Sequence, residues 1–141
     1  MFIQIKYNTD GIEIEKIPQG DWIDLKAAEN YYLNQGDYRV LSFGICCKIP
    51  LGYEAHIAPR SSTFKNWGII QTNGVGIIDE SYCGEDDVWG MPVYATRSTS
   101  IQKGDRIAQF RIMKKMEPVE FIEVDHMEDK SRGGFGSTGK Q

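Results

Sequence analysis

The 141-residue sequence contains no apolar run that approaches the roughly 18 residues a transmembrane helix needs. Residues 1–6 alternate apolar and polar side chains in the manner of a strand, and they lack the basic start and long apolar stretch of a signal peptide. We therefore expect a cytoplasmic protein that does not enter a membrane.

Cysteine is also scarce. Cys46, Cys47 and Cys83 are the three cysteines, and three thiols cannot pair completely. The sequence has no CxxC pair and no Cys/His spacing suited to zinc. We expect three buried, reduced thiols and no disulfide framework.

Positive charge is in deficit, with 16 basic against 20 acidic residues and a net charge of −4. Broad nucleic-acid binding needs a basic face, so the net charge argues against this class of function. A small polyanion would have to be attracted locally, by arginines gathered in one cleft.

The remaining patterns predict an all-β, jelly-roll-like or barrel domain with one short helix. The helix is expected over residues 62–67, with Ser61 or Ser62 as N-cap and Gly68 as terminator, and residues 24–32 carry a weaker helical signal. The predicted strands are 1–7, 11–14, 38–49, 53–57, 75–78, 88–95, 106–113 and 119–124. Composition changes near Met127, so we expect a barrel domain over 1–126 and a flexible glycine-rich lid over 127–141.

An arginine and a run of hydroxyls, Arg60, Ser61, Ser62 and Thr63, lie where the short helix should begin. A helix N-terminus offers free N–H groups and a favourable dipole to an anion. The alternative is an ordinary cap beside a surface arginine, and this alternative is the better interpretation of the segment taken alone.

Asp79 directly follows an apolar strand, and Tyr82 comes three residues later among turn formers. An aspartate at a strand end can orient a water and accept its proton, and a tyrosine ring can stack on a sugar or base. A plain hairpin with a turn aspartate and a core tyrosine explains the segment equally well.

Arg106 and Gln109 are polar residues within an otherwise apolar strand. A polar side chain on a buried strand needs a partner. The partner is either a ligand phosphate or an internal carboxylate.

The C-terminal tail contains the Gly-x-Gly-x-x-Gly spacing of a dinucleotide fingerprint, beginning at Gly134. We reject that interpretation because the fingerprint must open a helix, and only two residues follow the motif. The tail instead offers backbone N–H groups for phosphate oxygens together with Arg132, Phe135, Ser137 and Thr138. The alternative is an ordinary disordered tail.

In this order the segments resemble the five motifs of the trimeric deoxyuridine triphosphatases (dUTPases), and especially their bacterial and phage group. The counterparts are residues 22–28, 59–62, 76–84, 104–109 and 133–139. Two departures stand out. Ile23 replaces the usual tyrosine of the first motif, and Arg132 directly precedes the Gly-Gly pair, whereas Lys130 occupies the usual arginine position.

The resemblance implies a β-clip barrel that exchanges its C-terminal arm in a homotrimer. It also implies hydrolysis of dUTP to dUMP and pyrophosphate by attack of water on the α-phosphorus. Asp79 would orient and deprotonate the water, and Tyr82 would stack beneath the sugar. The hairpin 73–78 would read uracil through Asn73 and the backbone of Gly76 and Ile78.

The same resemblance assigns the phosphate chain to Arg60, Ser61, Ser62 and Gln109. Mg²⁺ would bind the phosphates directly and contact Asp24 through water, and Arg106 would brace the site or a subunit contact. In the lid, Phe135 would cover uracil, and Gly136, Ser137 and Thr138 would contact phosphates. The γ-phosphate contact would belong to Arg132, which we favour, or to Lys130.

Three alternatives remain at this point. A dCTP deaminase shares the superfamily, a regulatory protein would bind a protein partner through the same fold, and a binding module would hold a nucleotide without turnover. The third motif and the glycine tail favour dUTPase over the deaminase, and the complete set of motifs argues against an inactive protein without excluding a second, regulatory role.

Overall fold

The computed structural model describes residues 1–136 and 139, which form eleven strands and one short helix. The all-β expectation is therefore confirmed. No helix in these residues is long and apolar enough to span a membrane. The elements are β1 (Gln4–Tyr7), β2 (Ile23–Lys26), β3 (Tyr31–Leu33), β4 (Tyr38–Ser42), β5 (Ile45–Lys48), β6 (Tyr53–Pro59), α1 (Thr63–Trp67), β7 (Ile69–Gln71), β8 (Gly76–Ile78), β9 (Gly90–Ala95), β10 (Thr99–Ile101) and β11 (Arg106–Lys114).

All strand pairs are antiparallel, and most join strands that are distant in sequence. The largest sheet has the order β2-β11-β6-β8, and a three-stranded sheet has the order β4-β9-β7. Two-stranded ribbons, β1-β5 and β10-β3, complete the barrel. The four-stranded sheet matters most for function because its strands carry or precede most of the predicted site residues outside the tail.

The core lies between these sheets and is filled by alternate strand residues. Trp89 is fully buried and meets Phe110 edge-on, with ring centroids 5.2 Å apart. Leu25, Phe43 and Ile57 are each about 1% exposed and belong to the same cluster. The continuous core fixes the relative positions of β2, β6 and β11.

The helix α1 begins and ends where the sequence predicts. Ser62 is its N-cap by backbone conformation, although its hydroxyl makes no capping hydrogen bond. Gly68 ends the helix with a φ of 65°, in the left-handed region that glycine tolerates. The Ser62 hydroxyl is thus not consumed by the helix.

Several predicted elements are wrong. The single strand over 38–49 is two strands, β4 and β5, because Gly44 turns the chain with a φ of 67°. A Cβ there would come within 2.7 Å of Ile12 Cδ1, so packing also requires glycine. Residues 11–14 form no strand, and the helical signal over 24–32 belongs to β2 and β3.

The chain after β11 also departs from expectation. No strand forms over 119–124, and every residue from Met113 to Gly136 is exposed. Phe121 is 92% exposed, so its apolar alternation has no core to face within the chain. Cys46 and Cys47 are buried as expected, whereas Cys83 is exposed, which corrects the third thiol.

Candidate active site

One cluster of predicted site residues forms around the Asp24 carboxylate. Asp24 lies on β2 opposite Gln109 of β11, and Arg60 directly follows β6 on the other side of β11. Arg60 Nε lies 3.1 Å from Asp24 Oδ1, and Arg106 Nη1 lies 3.4 Å from Asp24 Oδ2. The Asp24 side chain is only 16% exposed, so the two guanidinium groups balance a largely desolvated charge.

The Arg60 side chain is held by backbone as well as by charge. Its Nη1 donates to the carbonyl oxygen of Arg106 at 2.9 Å. Its backbone N–H donates to Thr63 Oγ1 at 2.8 Å, and that hydroxyl donates to the carbonyl of Ile107 at 3.0 Å. The buried Thr63 therefore ties the start of α1 to β11 and fixes where Arg60 lies.

Arg106 and Gln109 both find partners within the chain. Arg106 Nη2 lies 3.3 Å from Glu15 Oε2, in addition to its contact with Asp24. Gln109 Nε2 donates to the carbonyl of Pro59 at 3.1 Å. The internal-carboxylate interpretation of Arg106 agrees with these contacts, and Gln109 is brought beside the Arg60 cluster.

A second cluster forms around Asp79, at the far end of β8. Asp79 Oδ1 accepts hydrogen bonds from the backbone N–H of Ser81, at 2.7 Å, and from the Ser81 hydroxyl. The Ser81 hydroxyl first, and its N–H second, lower the pKa of Asp79 below its ordinary value. An exposed carboxylate held in this way is ionised at neutral pH and available to a ligand.

Tyr82 lies beside this carboxylate at the edge of a cavity. Its hydroxyl donates to the carbonyl of Val88 at 3.1 Å, and the residue is 39% exposed. The ring is therefore not a core tyrosine. A cavity of about 370 Å³ is lined by Val40, Ile77, Ile78, Asp79, Ser81, Tyr82, Val88 and Gly90.

The hairpin that leads into β8 carries the predicted base-reading residues. Asn73 Oδ1 accepts a hydrogen bond from Gln71 Nε2 at 2.9 Å. Gly76 of β8 pairs with Ile57 of β6, and a Cβ at position 76 would lie 3.1 Å from Ile57 Cβ. The backbone at Gly76 therefore approaches β6 more closely than a larger residue allows.

The two clusters do not meet within one chain. Ile78 pairs with Ala55 in the β6–β8 register, whereas Arg60 follows the last residue of β6. Five to six residues of extended strand separate the level of Asp79 from that of Arg60, which is roughly 16–20 Å. The register of β6 and β8 therefore sets the two clusters well apart along the sheet.

The described residues of the tail from Met127 to Gly136 are all exposed. Arg132 and Lys130 are exposed, and Phe135 is fully exposed with a positive φ of 42°. Gly136 also has a positive φ, of 85°. Ser137 and Thr138 lie outside the described residues.

Three residues next to the predicted site were missed by sequence reasoning. Ser81 holds Asp79, Glu15 pairs with Arg106, and Gln71 binds Asn73. The Asp-x-Ser spacing is typical of a side-chain-to-backbone turn and could have indicated Ser81. Gln71 and Glu15 depend on long-range packing, and no local signal points to them.

The described residues do not build a cage for a metal ion. They contain no group of three or more acidic, His or Cys side chains placed to hold one. Both oxygens of Asp24 contact arginines, which leaves lone pairs for a metal-bound water but no dedicated coordination sphere. This arrangement fits a Mg²⁺ ion that is carried by a ligand's phosphates and keeps most of its water.

Comparison with known proteins gives one consistent result. The family model described as dUTPase matches residues 19–139. The SPbeta prophage-derived deoxyuridine 5'-triphosphate nucleotidohydrolase YosS of Bacillus subtilis is 54% identical over 140 residues, covering 99% of each chain.

Two solved structures share the fold. The Staphylococcus bacteriophage 80alpha dUTPase with dUPNHPP superposes with a TM-score of 0.82 at 23% identity, covering 98% of each chain. A mutant dUTPase from phage phi11 of S. aureus, described with a structural Mg(II) ion, gives a TM-score of 0.76 at 18% identity, covering 92% of this chain and 100% of the other.

Proposed function

Because the chain belongs to the dUTPase family, we propose that its two clusters and its tail act together to hydrolyse dUTP to dUMP and pyrophosphate. The observation that carries the proposal is the Asp79 carboxylate, ionised and exposed in the lining of a cavity that also contains Tyr82. The chain is a hydrolase of the deoxyuridine 5'-triphosphate nucleotidohydrolase type.

Asp79 is the general base of the proposed reaction. It orients a water, accepts its proton, and lets the water oxygen attack the α-phosphorus. The bond between the α-phosphorus and its bridging oxygen breaks, and pyrophosphate leaves. Ser81 fixes the orientation of the Asp79 carboxylate and keeps it ionised, which supports the role of Asp79 as a base at neutral pH.

The phosphate chain is held by Arg60, Ser61, Ser62 and Gln109 at the other cluster. Two of the five guanidinium N–H donors of Arg60 are used in its contacts with Asp24 and the Arg106 carbonyl, and the others suit phosphate oxygens. The Ser62 hydroxyl makes no capping bond, which supports its assignment to substrate.

A Mg²⁺ ion, when bound with the triphosphate, would supply charge neutralisation for the phosphate oxygens. Asp24 is the residue that would hold this ion, through water. Because Asp24 also contacts Arg60, the same carboxylate would help to hold both the ion and the phosphate-binding arginine.

The nucleoside end lies in the hairpin and cavity next to Asp79. Asn73 and the backbone of Gly76 and Ile78 read the uracil edge, and Tyr82 stacks beneath the deoxyribose and excludes a 2′-hydroxyl. Mispairing of buried polar groups would then reject cytosine, which is the mechanism that gives large discrimination.

The separation of the two clusters supports a homotrimer whose sites are shared between subunits. The exposed arm from Met116 to Gly136, which follows β11, supports its exchange with a neighbour, since its large apolar side chains are mostly exposed on their own chain. The lid would place Phe135 over uracil and Gly136, Ser137 and Thr138 at the phosphates. Arg132 would contact the γ-phosphate in preference to Lys130.

The test is pyrophosphate release with magnesium from dUTP, measured beside dTTP, dCTP and UTP. We expect turnover of dUTP alone. Ammonia release from dCTP would contradict the proposal and favour a deaminase. A regulatory protein partner stays a prediction, and a pull-down with and without nucleotide tests it.

A further inference from the structure

The side chain of Gln71 occupies an unusual position for a polar group. It lies at the end of β7 and is only 7% exposed, among core residues of β6 and β9. Its Nε2 donates to the carbonyl of Ile57 at 3.1 Å and to Asn73 Oδ1 at 2.9 Å. Its Oε1 is buried without a hydrogen-bond partner in the described part of the chain.

The contact with Ile57 fixes which way the Gln71 amide faces. A backbone carbonyl only accepts hydrogen bonds, so the Gln71 atom beside it must be the nitrogen. Ile57 is in the middle of β6 and is paired on both sides, which holds this carbonyl in place. The Gln71 amide is therefore oriented by the sheet itself.

The orientation of the Gln71 amide in turn determines the orientation of the Asn73 amide. The second hydrogen of Gln71 Nε2 points at Asn73, so the Asn73 atom that receives it must be the oxygen. Asn73 lies in an exposed turn, where its amide would otherwise rotate freely. With its oxygen held, its NH₂ group is the part left for a ligand.

We infer that Gln71 is a specificity-determining positioning residue, which locks the Asn73 amide with its NH₂ group toward the nucleobase. This inference rests on the proposed function, in which Asn73 reads the base. A carbonyl at ring position 4, as in uracil, accepts from that NH₂ group. An amino group at the same position, as in cytosine, meets donor with donor and is rejected.

The sharpest test is Gln71→Glu assayed at alkaline pH, where the carboxylate is ionised despite its burial and only accepts hydrogen bonds. Asn73 must then rotate and donate its NH₂ group to the new carboxylate, which turns Asn73 Oδ1 toward the base. We expect the ratio of kcat/KM for dUTP to that for dCTP to fall by roughly tenfold to a hundredfold, mainly through KM, with kcat for dUTP little changed.

Gln71→Met is the matched variant, of similar length but without donors or charge. Asn73 then rotates freely, so we expect a smaller fall in the same ratio. In the Asn73→Ala background Gln71→Met should cause no further fall, since Gln71 acts only through Asn73. A fall of equal size in both backgrounds would overturn the inference.

Asn73→Ala separates this inference from the proposed function. If Asn73→Ala lowers the dUTP/dCTP ratio and both Gln71 variants leave it unchanged, the role of Gln71 is overturned and that of Asn73 stands. If Asn73→Ala leaves the ratio unchanged, Asn73 is not the base reader, and both are overturned.

A measurement on the unaltered enzyme covers variants that fail to fold. By NMR, the Gln71 side-chain amide protons should exchange slowly both with and without the α,β-imido analogue of dUTP. The Asn73 side-chain amide protons should shift when the analogue is added. Fast exchange at Gln71, as in a free side chain, would overturn the inference.

Discussion

The carboxylates of Asp24 and Asp79 are held in opposite ways. Asp24 is largely buried and is bound by arginines from two other segments of the chain, so its position depends on the whole four-stranded sheet. Asp79 is exposed and is bound by Ser81, two residues away. Tertiary structure fixes Asp24, and a local turn fixes Asp79. This difference supports the proposed roles, in which Asp24 positions a phosphate-binding arginine and Asp79 contacts the attacking water.

The largest expected effect comes from removing the charge of Asp79. Asp79→Asn keeps the shape but accepts no proton, so kcat should fall by about 10²–10⁴-fold while nucleotide affinity is largely kept. Pyrophosphate release and calorimetric titration with the imido analogue measure the two quantities. Asp86→Asn, in the same exposed loop, is the control and should retain activity. Loss of both binding and turnover in Asp79→Asn would count against a base.

Removal of the tail should cost nearly as much activity but little stability. A chain ending at residue 131 keeps every strand and the core, since each residue from Met113 onward that is described is exposed. We expect an unchanged melting temperature and a fall in kcat/KM of about a hundredfold or more, because the proposed lid would order the phosphates. A chain that lacks only Lys140 and Gln141 is the control. Normal turnover by the shorter chain would show that the tail is not a lid.

Asp24→Asn should affect stability and substrate binding together. Two guanidinium groups lose a charged partner, so the free energy of unfolding should fall by about 1–3 kcal/mol, and KM for dUTP should rise as Arg60 loses its anchor. Asp21→Asn breaks an ion pair with Arg111 whose aspartate side chain is 71% exposed, and it should cost at most about 0.5 kcal/mol. Urea denaturation and initial rates compare the two variants. Equal losses of unfolding free energy would contradict the claim that the buried Asp24 pairs contribute more to stability than the surface Asp21 pair.

The smallest effect is a shift in pH dependence. Ser81 donates to ionised Asp79 and lowers its pKa, so Asp79 keeps its charge as pH falls until its lowered pKa is reached. Ser81→Ala removes the hydroxyl donor, and the acid limb of kcat/KM should move to higher pH with only a few-fold loss at neutral pH. Ser100→Ala, at an exposed position of β10, should leave the profile in place. If the acid limb of kcat/KM does not shift in Ser81→Ala, Ser81 does not set the pKa of the general base.

Local patterns predicted the parts of the fold that local chemistry determines. The helix over Thr63–Trp67 and its glycine terminator follow from a cap, a short run and a stop signal. The three-residue strands β3, β7 and β10 are too short to show alternation, and their existence depends on partners far away in sequence. The break at Gly44 depends on packing against Ile12, which no local window contains.

The site divides in the same way. Pro59 to Ser62 and Ile78 to Tyr82 could be selected from residue types and order, because turns and helix starts have local signatures. The pairing of Asp24 with Arg60 and Arg106 follows from the register of β2, β6 and β11, which only the folded sheet defines. The orientation of Asn73 by Gln71 is likewise a product of the sheet.

The distance along β6 that separates Asp79 from Arg60 also has a genetic consequence. In a trimer with shared sites, a subunit that lacks Asp79 still lends its Arg60 cluster to a neighbour, and a subunit that lacks Arg60 still lends its Asp79. Two defective alleles expressed together would then restore some working sites, although each allele alone gives none. Complementation between two defective alleles would then follow from the length of β6, because that length keeps Asp79 and Arg60 of one subunit in different sites.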